Sequence, residues 1–242
     1  MILALDAVRI AARDPDSAAR AYRALLGFEP EAGGRRFGLD NTALEIVAAP
    51  GEGEGLSGLV FAVDTLADTR DHLARRGLAS EPAADGARAD LDAAATGGVA
   101  MALVEAAAST PPAHGAEAVT ALDHVVIRTQ NPDRAVALYG ARLGLDFRLD
   151  RSNPQWGSRL LFFRCGGATL EVASSLQPEA ASSPDRLDGL AWRVADVAAA
   201  HARLSGEALN ISEVRTGRKP GTAVFTLRAG VIGAPALVIG PG

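Results

Sequence analysis

A chain of 242 residues, 48% hydrophobic and 22% charged, has the balance of a globular protein and length for one large or two ordinary domains. The formal net charge of −5, with arginine supplying nearly all the cations, leaves no basic field for nucleic acid phosphates. Apolar runs break at a charge or a glycine before they reach bilayer length, and MILALDAVRI carries Asp6 where a secretory leader needs an apolar run, so a cytoplasmic protein without membrane or nucleic acid partners is expected.

In chain order, LDAVRIA (5–11) reads as a strand, SAARAYRALL (17–26) as a helix, and FEPE (28–31), RRFGLD (35–40) and TALEIVA (42–48) as three short strands. A weaker version follows: GLVFAV (58–63), the helix ADTRDHLARRG (67–77) and GVAMALVEA (98–106). The Ala/Pro/Ser stretch AAASTPPAHGAEAV (106–119) reads as a linker that leaves His114 in solvent.

Then LDHVVIRTQNPDRAVALYGARLGL (122–145) repeats LDAVRIAARDPDSAARAYRALLGF (5–28) at a constant shift of 117 positions, Leu5 to Leu122, without a gap. Such a match marks an internal duplication. Asn131 or Asp133 can cap the helix, Pro132 can open it, Ala135, Leu138, Tyr139 and Leu143 fall at helical spacing, and Gly144 stops it. LDFRLD, SRLLFFRC and TLEVASS follow as strands, with Cys165, the only cysteine, read as a buried small hydrophobe. GLAWRV (189–194), the helix VAAAHARLS (197–205), TAVFTLRAG (222–230) and APALVIG (234–240) complete a fourth unit. The expected fold is α+β: four βαβββ units in two paired domains, residues 1–108 and 118–242, as a monomer or homodimer.

A strand, helix and three strands used four times, with LDHVVI opening a unit, NPDRAVALYGARLG on its helix and TLEVA closing it, resembles the vicinal oxygen chelate superfamily. That superfamily includes glyoxalase I, extradiol dioxygenases, fosfomycin-inactivating transferases and metal-free drug-sequestering (bleomycin resistance) proteins. The resemblance implies sheets curled around a cavity, with metal ligands on the first and fourth strands of each unit. His124 and Glu171 stand at those positions.

Strand alternation sets His124 with Leu122 and Val126, on the face away from the helix. Imidazole plus carboxylate is half of a site for one divalent metal, Zn, Ni, Fe or Mn, or, without metal, an acid/base pair. The partner unit, set on the family's Gly-His start, offers Leu190 and Val238, which cannot coordinate. In the first domain Ala7, Glu45, Leu59 and Ala102 leave only Glu45, expected to pair with Arg35 or Arg36.

Trp192, two residues past Leu190, is expected in the cavity; Trp156 sits in a loop that can lid it or anchor a turn. SRLLFFRC leaves open whether Arg159 or Phe162 faces inward, and Arg218 stands in the cationic turn of EVRTGRKPG at the rim. His201 reads as an ordinary helix residue. The ligand is a small molecule, met either by a lyase, isomerase or dioxygenase-type enzyme on an oxygen-rich substrate or by a metal-free binding module. The missing ligands put the dioxygenase and transfer reactions in doubt.

Overall fold

The computed structural model describes residues 1–51, 53–107, 113–177, 183–207, 209–231 and 233–242. The part of the linker at 108–112 lies outside them. The strands form two mixed sheets. The first is built from β1 (Ile2–Ala12), β2 (Arg36–Gly38), β3 (Ala43–Ala48), β4 (Gly55–Val63), β5 (Ser80–Pro82), β6 (Arg88–Leu91) and β7 (Met101–Glu105), in the order β2-β3-β1-β4-β7-β6-β5. The second is built from β8 (Val119–Arg128), β9 (Asp146–Asn153), β10 (Ser158–Cys165), β11 (Ala168–Ser175), β12 (Arg186–Val194), β13 (Arg215–Thr216), β14 (Thr222–Val231) and β15 (Ala234–Pro241), in the order β13-β14-β15-β12-β8-β11-β10-β9. The predicted FEPE strand is absent: residues 28–35 form bends and a turn, where Glu31 accepts from Gly34 and donates to Arg36.

Helices α1 (Pro15–Leu26) and α2 (Leu66–Arg75) belong to the first sheet's sequence, α3 (Pro132–Ala135) and α4 (Val197–Gly206) to the second's. The repeated helix is opened in both copies by a side chain two or three residues ahead of the amides it accepts from: Asp14 takes Asp16 and Ser17, and Asn131 takes Arg134. The second copy continues past α3 as a π-helical stretch over Val136–Arg142, where the first stays α-helical. Gly27 closes α1 at φ 86 and Gly144 follows the π-helical stretch at φ 75, a region an L side chain enters with strain. No helix among the described residues is long and apolar enough to cross a membrane.

By contacts the chain divides into two compact units, each drawing on both halves of the sequence. One comprises Met1–Ala7, Ser57–Ser109 and Val125–Asp188; the other Val8–Leu56, Thr110–His124 and Gly189–Gly242.

In the first unit, β4 runs parallel to β7, and β11 pairs antiparallel with β10 and β10 with β9. Leu161, Phe163, Leu170 and Val172 are fully buried on one face, where the ring of Phe163 meets that of Tyr139 on the π-helical stretch at 5.5 Å. Arg142 and Arg76 stitch the ends of α2 and the π-helical stretch together: Arg76 Nη1 donates to Ala141 O at 2.8 Å and Arg142 Nε to Arg76 O at 2.8 Å.

In the second unit, β12 runs parallel to β15, with Leu190 opposite Ala236 and Trp192 opposite Val238; β14 pairs antiparallel with β15, setting Phe225 opposite Val238. The buried hydroxyl of Tyr22 on α1 donates to Val231 O of β14 at 3.2 Å. Asn41 brackets Leu122 of β8, accepting from its N–H and donating to its C=O. His114 is not in solvent: its ring lies 4.1 Å from that of Phe28, with both nitrogens buried, because the end of the linker folds back onto an aromatic surface that apolar contact favours.

Candidate functional site

β8 ends its part in the second unit with the sequence Asp123-His124, and these neighbours meet through their side chains. Asp123 Oδ1 lies 3.0 Å from His124 Nδ1, and its other oxygen accepts from Arg193 Nη2 of β12 at 2.9 Å. An ionised carboxylate only accepts, so His124 must carry its proton on Nδ1, leaving Nε2 as the basic nitrogen. The hydrogen bond from His124, then that from Arg193, holds the Asp123 carboxyl well below the usual aspartate range. His124 keeps 20% of its side chain exposed. Sequence reasoning missed Asp123 and Arg193: alternation assigns Asp123 to the other side of the strand from His124, and nothing local announces that a residue on another strand holds it.

Glu171 lies on β11, in the first unit, directly opposite Phe162 of β10; Phe162 is in turn opposite Leu149 of β9, and Arg164 opposite Thr169. Since Leu161 and Phe163 take the buried face, Phe162 and Arg164 share the other face with Glu171. That resolves which side of β10 is open. A groove of about 460 Å³ runs along it, lined by Arg148, Leu149, Phe162, Arg164 and Thr169. Its floor is apolar and two guanidinium groups flank it, each already holding one acceptor: Arg148 pairs with Asp146, and Arg164 Nε donates to Gly166 O at 2.8 Å.

Arg159, expected at the substrate, has the parity of Leu161 and Phe163. Its guanidinium grips both oxygens of Asp150, at 3.0 and 2.7 Å, and reaches Asp133 of α3 at 3.3 Å. It ties sheet to helix and stands away from the groove face. Trp192 is corrected likewise. It has no exposed surface, and it shares a face with Val238 and Phe225, whose ring meets His201 of α4 edge-on at 5.1 Å. Trp192 therefore fills the core beneath α4, and the outward positions of this pair of strands are Ala191, Arg193, Leu237 and Ile239. Leu190 and Val238, set by the sequence reading at ligand positions, lie with Trp192 on the covered face. His201 Nε2 donates to Ser212 O, 3.1 Å away, a structural role.

Trp156 is 53% exposed on a 3₁₀ turn whose amides Asn153 caps. Arg218 is exposed in the turn between β13 and β14. In the second unit Glu45 accepts from Arg9 Nε at 3.0 Å and from Arg36 Nη1. Arg36 is one of the two partners expected; Arg9 was missed because it comes from β1. Both oxygens of the Glu45 carboxylate are thus engaged by guanidinium groups. Cys165 is buried, which pushes its thiol up to about 12.

A divalent metal, which the fold family implies, normally takes at least three protein ligands in a catalytic site. Among the described residues no group of three or more His, Cys, Asp or Glu side chains is placed to hold one. Asp123 is committed to Arg193 and His124, and the outward positions of β12 and β15 are apolar or cationic. The donor set does not fit a three-ligand site.

Sheets in which the first strand of a unit lies parallel to its last, with a helix packed on one face and the other face open, define a glyoxalase-like α+β fold. Residues 123–225 match the profile of the glyoxalase/bleomycin resistance protein/dioxygenase superfamily. Among solved structures, the chain is similar to a mutant of 4-hydroxymandelate synthase from Streptomyces coelicolor, at a TM-score of 0.73 and 15% identity over 100% of this chain and 93% of that one. It is similar as well to the 2,2',3-trihydroxybiphenyl 1,2-dioxygenase of Sphingomonas wittichii, at 0.69 and 16% over 100% and 91%, and to BphC, a halotolerant catechol dioxygenase, at 0.69 and 13% over 98% and 87%. No curated protein sequence matches significantly. Residues 123–225 thus carry the sequence profile of that superfamily, and the likeness to solved structures extends its fold over the whole chain.

Proposed function

We propose that the protein binds a small anionic molecule with an apolar body in the groove of Arg148, Phe162 and Arg164, and that Glu171, on the same strand face, is a polar or acid/base group for it. The observation that carries this reading is the groove: Phe162 and Leu149 supply apolar contact, and two cations select an anion through guanidinium forks.

Independently of that groove, His124 of the second unit is proposed as a proton-transfer group, which makes the chemistry there that of a lyase or isomerase acting on an oxygen-rich substrate. Asp123 fixes its tautomer and, being held ionised, stabilises the imidazolium that proton uptake creates. Dioxygenase chemistry asks for a metal that the donor set does not fit. The second reading, a metal-free binding module, is favoured by the same apolar groove floor and differs only in having no turnover.

The test is calorimetry with a panel of aromatic and aliphatic carboxylates on the full chain, alongside metal analysis, for the wild type, Arg164→Gln and His124→Ala. The proposal expects aromatic carboxylates to bind, Arg164→Gln to weaken them about tenfold, and metal to stay below one equivalent. Binding indifferent to Arg164 would overturn it. Turnover that survives in His124→Ala would remove the imidazole from the mechanism.

A further inference from the structure

A second cavity of the first unit, about 270 Å³, is lined by Arg128, Thr129, Gln130, Ala173, Ser174, Ser175, Ser183, Pro184 and Arg186. It shares no residue with the groove above and lies where β8 and β11 end and β12 begins. Its chemistry is different too. Ala173 and Pro184 are the only apolar residues of the lining; the rest are hydroxyl, amide and guanidinium groups.

Among the described residues of the lining the charge balance is positive. Arg128 Nε donates to Asp188 Oδ2 at 2.8 Å, and Arg186 Nη2 reaches the other oxygen of the same carboxylate at 3.4 Å. One carboxylate between two guanidinium groups leaves a net positive charge, and both Nη atoms of Arg128 have no hydrogen-bond partner among the described residues. The other nearby acid, Asp185, is buried; its Oδ1 accepts from Arg134 Nη2, and its Oδ2 has no hydrogen-bond partner among the described residues. Thr129 Oγ1 accepts from Asn131 N, so its own proton is available to a ligand. Among the described lining residues one buried acceptor stands unpartnered: Gln130 Oε1. A buried carbonyl without a donor is costly, which makes it the informative atom of the set.

We infer that this cavity binds a tetrahedral oxyanion that keeps a hydroxyl, namely inorganic phosphate, which still carries a P–OH at neutral pH, whereas a phosphomonoester has mostly lost its own there. The guanidinium and hydroxyl groups meet the anionic oxygens. Gln130 Oε1 accepts from the remaining P–OH. Sulfate offers the same charge and shape at neutral pH without that proton, so the site discriminates between them.

Titration calorimetry of the full chain with inorganic phosphate, sulfate and acetate, at constant ionic strength, tests this. Phosphate is expected to bind about tenfold more tightly than sulfate, and acetate more weakly than either. Gln130→Met, close in volume, should abolish the preference of phosphate over sulfate while keeping sulfate affinity. Arg128→Gln should weaken both oxyanions, and Arg128→Lys should restore part of the loss. Melting temperatures of each variant show that the fold persists, and Glu171→Gln should bind phosphate unchanged, which separates this site from the groove. Absence of phosphate binding, equal affinity for sulfate, or a preference retained in Gln130→Met would each overturn the assignment.

Discussion

Asp123 and His124 are adjacent in sequence, yet their side chains meet, carboxylate oxygen to Nδ1 at 3.0 Å, because Arg193 holds the second carboxylate oxygen from the neighbouring strand. Two hydrogen bonds to the charged form keep Asp123 ionised in the folded protein below the pH at which an ordinary aspartate protonates. The depressed folded value means that its contribution to stability is complete above the unfolded value of about 3.9 and is lost as pH falls from there towards the folded one. Denaturant titrations from about pH 5 downwards should show wild-type stability falling more steeply than that of Asp123→Asn, whose stability at neutral pH should be lower by about 1–3 kcal/mol. Parallel curves for the two proteins would show that the pair contributes nothing.

Glu171→Gln keeps the shape of the side chain and should change unfolding free energy by no more than about 1 kcal/mol, whereas His124→Ala removes the hydrogen bond to Asp123 and should cost about 1–3 kcal/mol without unfolding the protein. Their effect should fall on ligand binding or turnover. Calorimetry beside urea denaturation checks it; unfolding of either variant with binding intact would make the residue structural.

The two faces of β10 separate Arg164 from Arg159. Replacing Arg164 by Gln should cost anion binding and leave the melting temperature near wild type. Replacing Arg159 by Gln should leave binding intact and cost less than about 1 kcal/mol of stability, since Asp150 and Asp133 are well exposed and such pairs are weak in water. Exchanged outcomes would mean that the strand presents its other face to the ligand.

The tryptophans should behave oppositely. Trp192→Ala should destabilise by about 3–5 kcal/mol, the range for emptying a large core site, whereas Trp156→Ala should stay within about 1 kcal/mol. Fluorescence offers an independent check: Trp192 alone should emit to the blue and resist quenching by iodide, and Trp156 alone should be quenched.

Cys165, with its thiol pushed up to about 12, should resist alkylation at neutral pH in the native protein and react once on unfolding. Labelling of the native chain at the rate of a free thiol would contradict its burial.

The repeat at a shift of 117 positions, its periodicities and its caps were legible from residues alone, because they are local: Asp14 and Asn131 cap through amides two or three residues ahead, and Gly27 and Gly144 stop their helices by their own backbone freedom. So was the fold class, since a strand, a helix and short strands repeated four times have few ways to bury their apolar faces. The placement expected of Glu171 came from the family resemblance; its register sets it opposite Phe162, on the face away from buried Leu161 and Phe163.

What alternation within a strand could not supply is which face the helix covers. For SRLLFFRC both faces carry two large apolar groups and an arginine, and only the contact of Phe163 with Tyr139 decides that Arg159 goes with the covered side. GLAWRV failed for the same reason: parity was counted from Leu190, whereas pairing with Val238 and, through it, Phe225 puts Leu190 and Trp192 together under α4. The partners of the charged groups, Arg193 for Asp123 and Arg9 for Glu45, come from other strands. Strand order and register set those encounters, and they exist only once the sheets have formed.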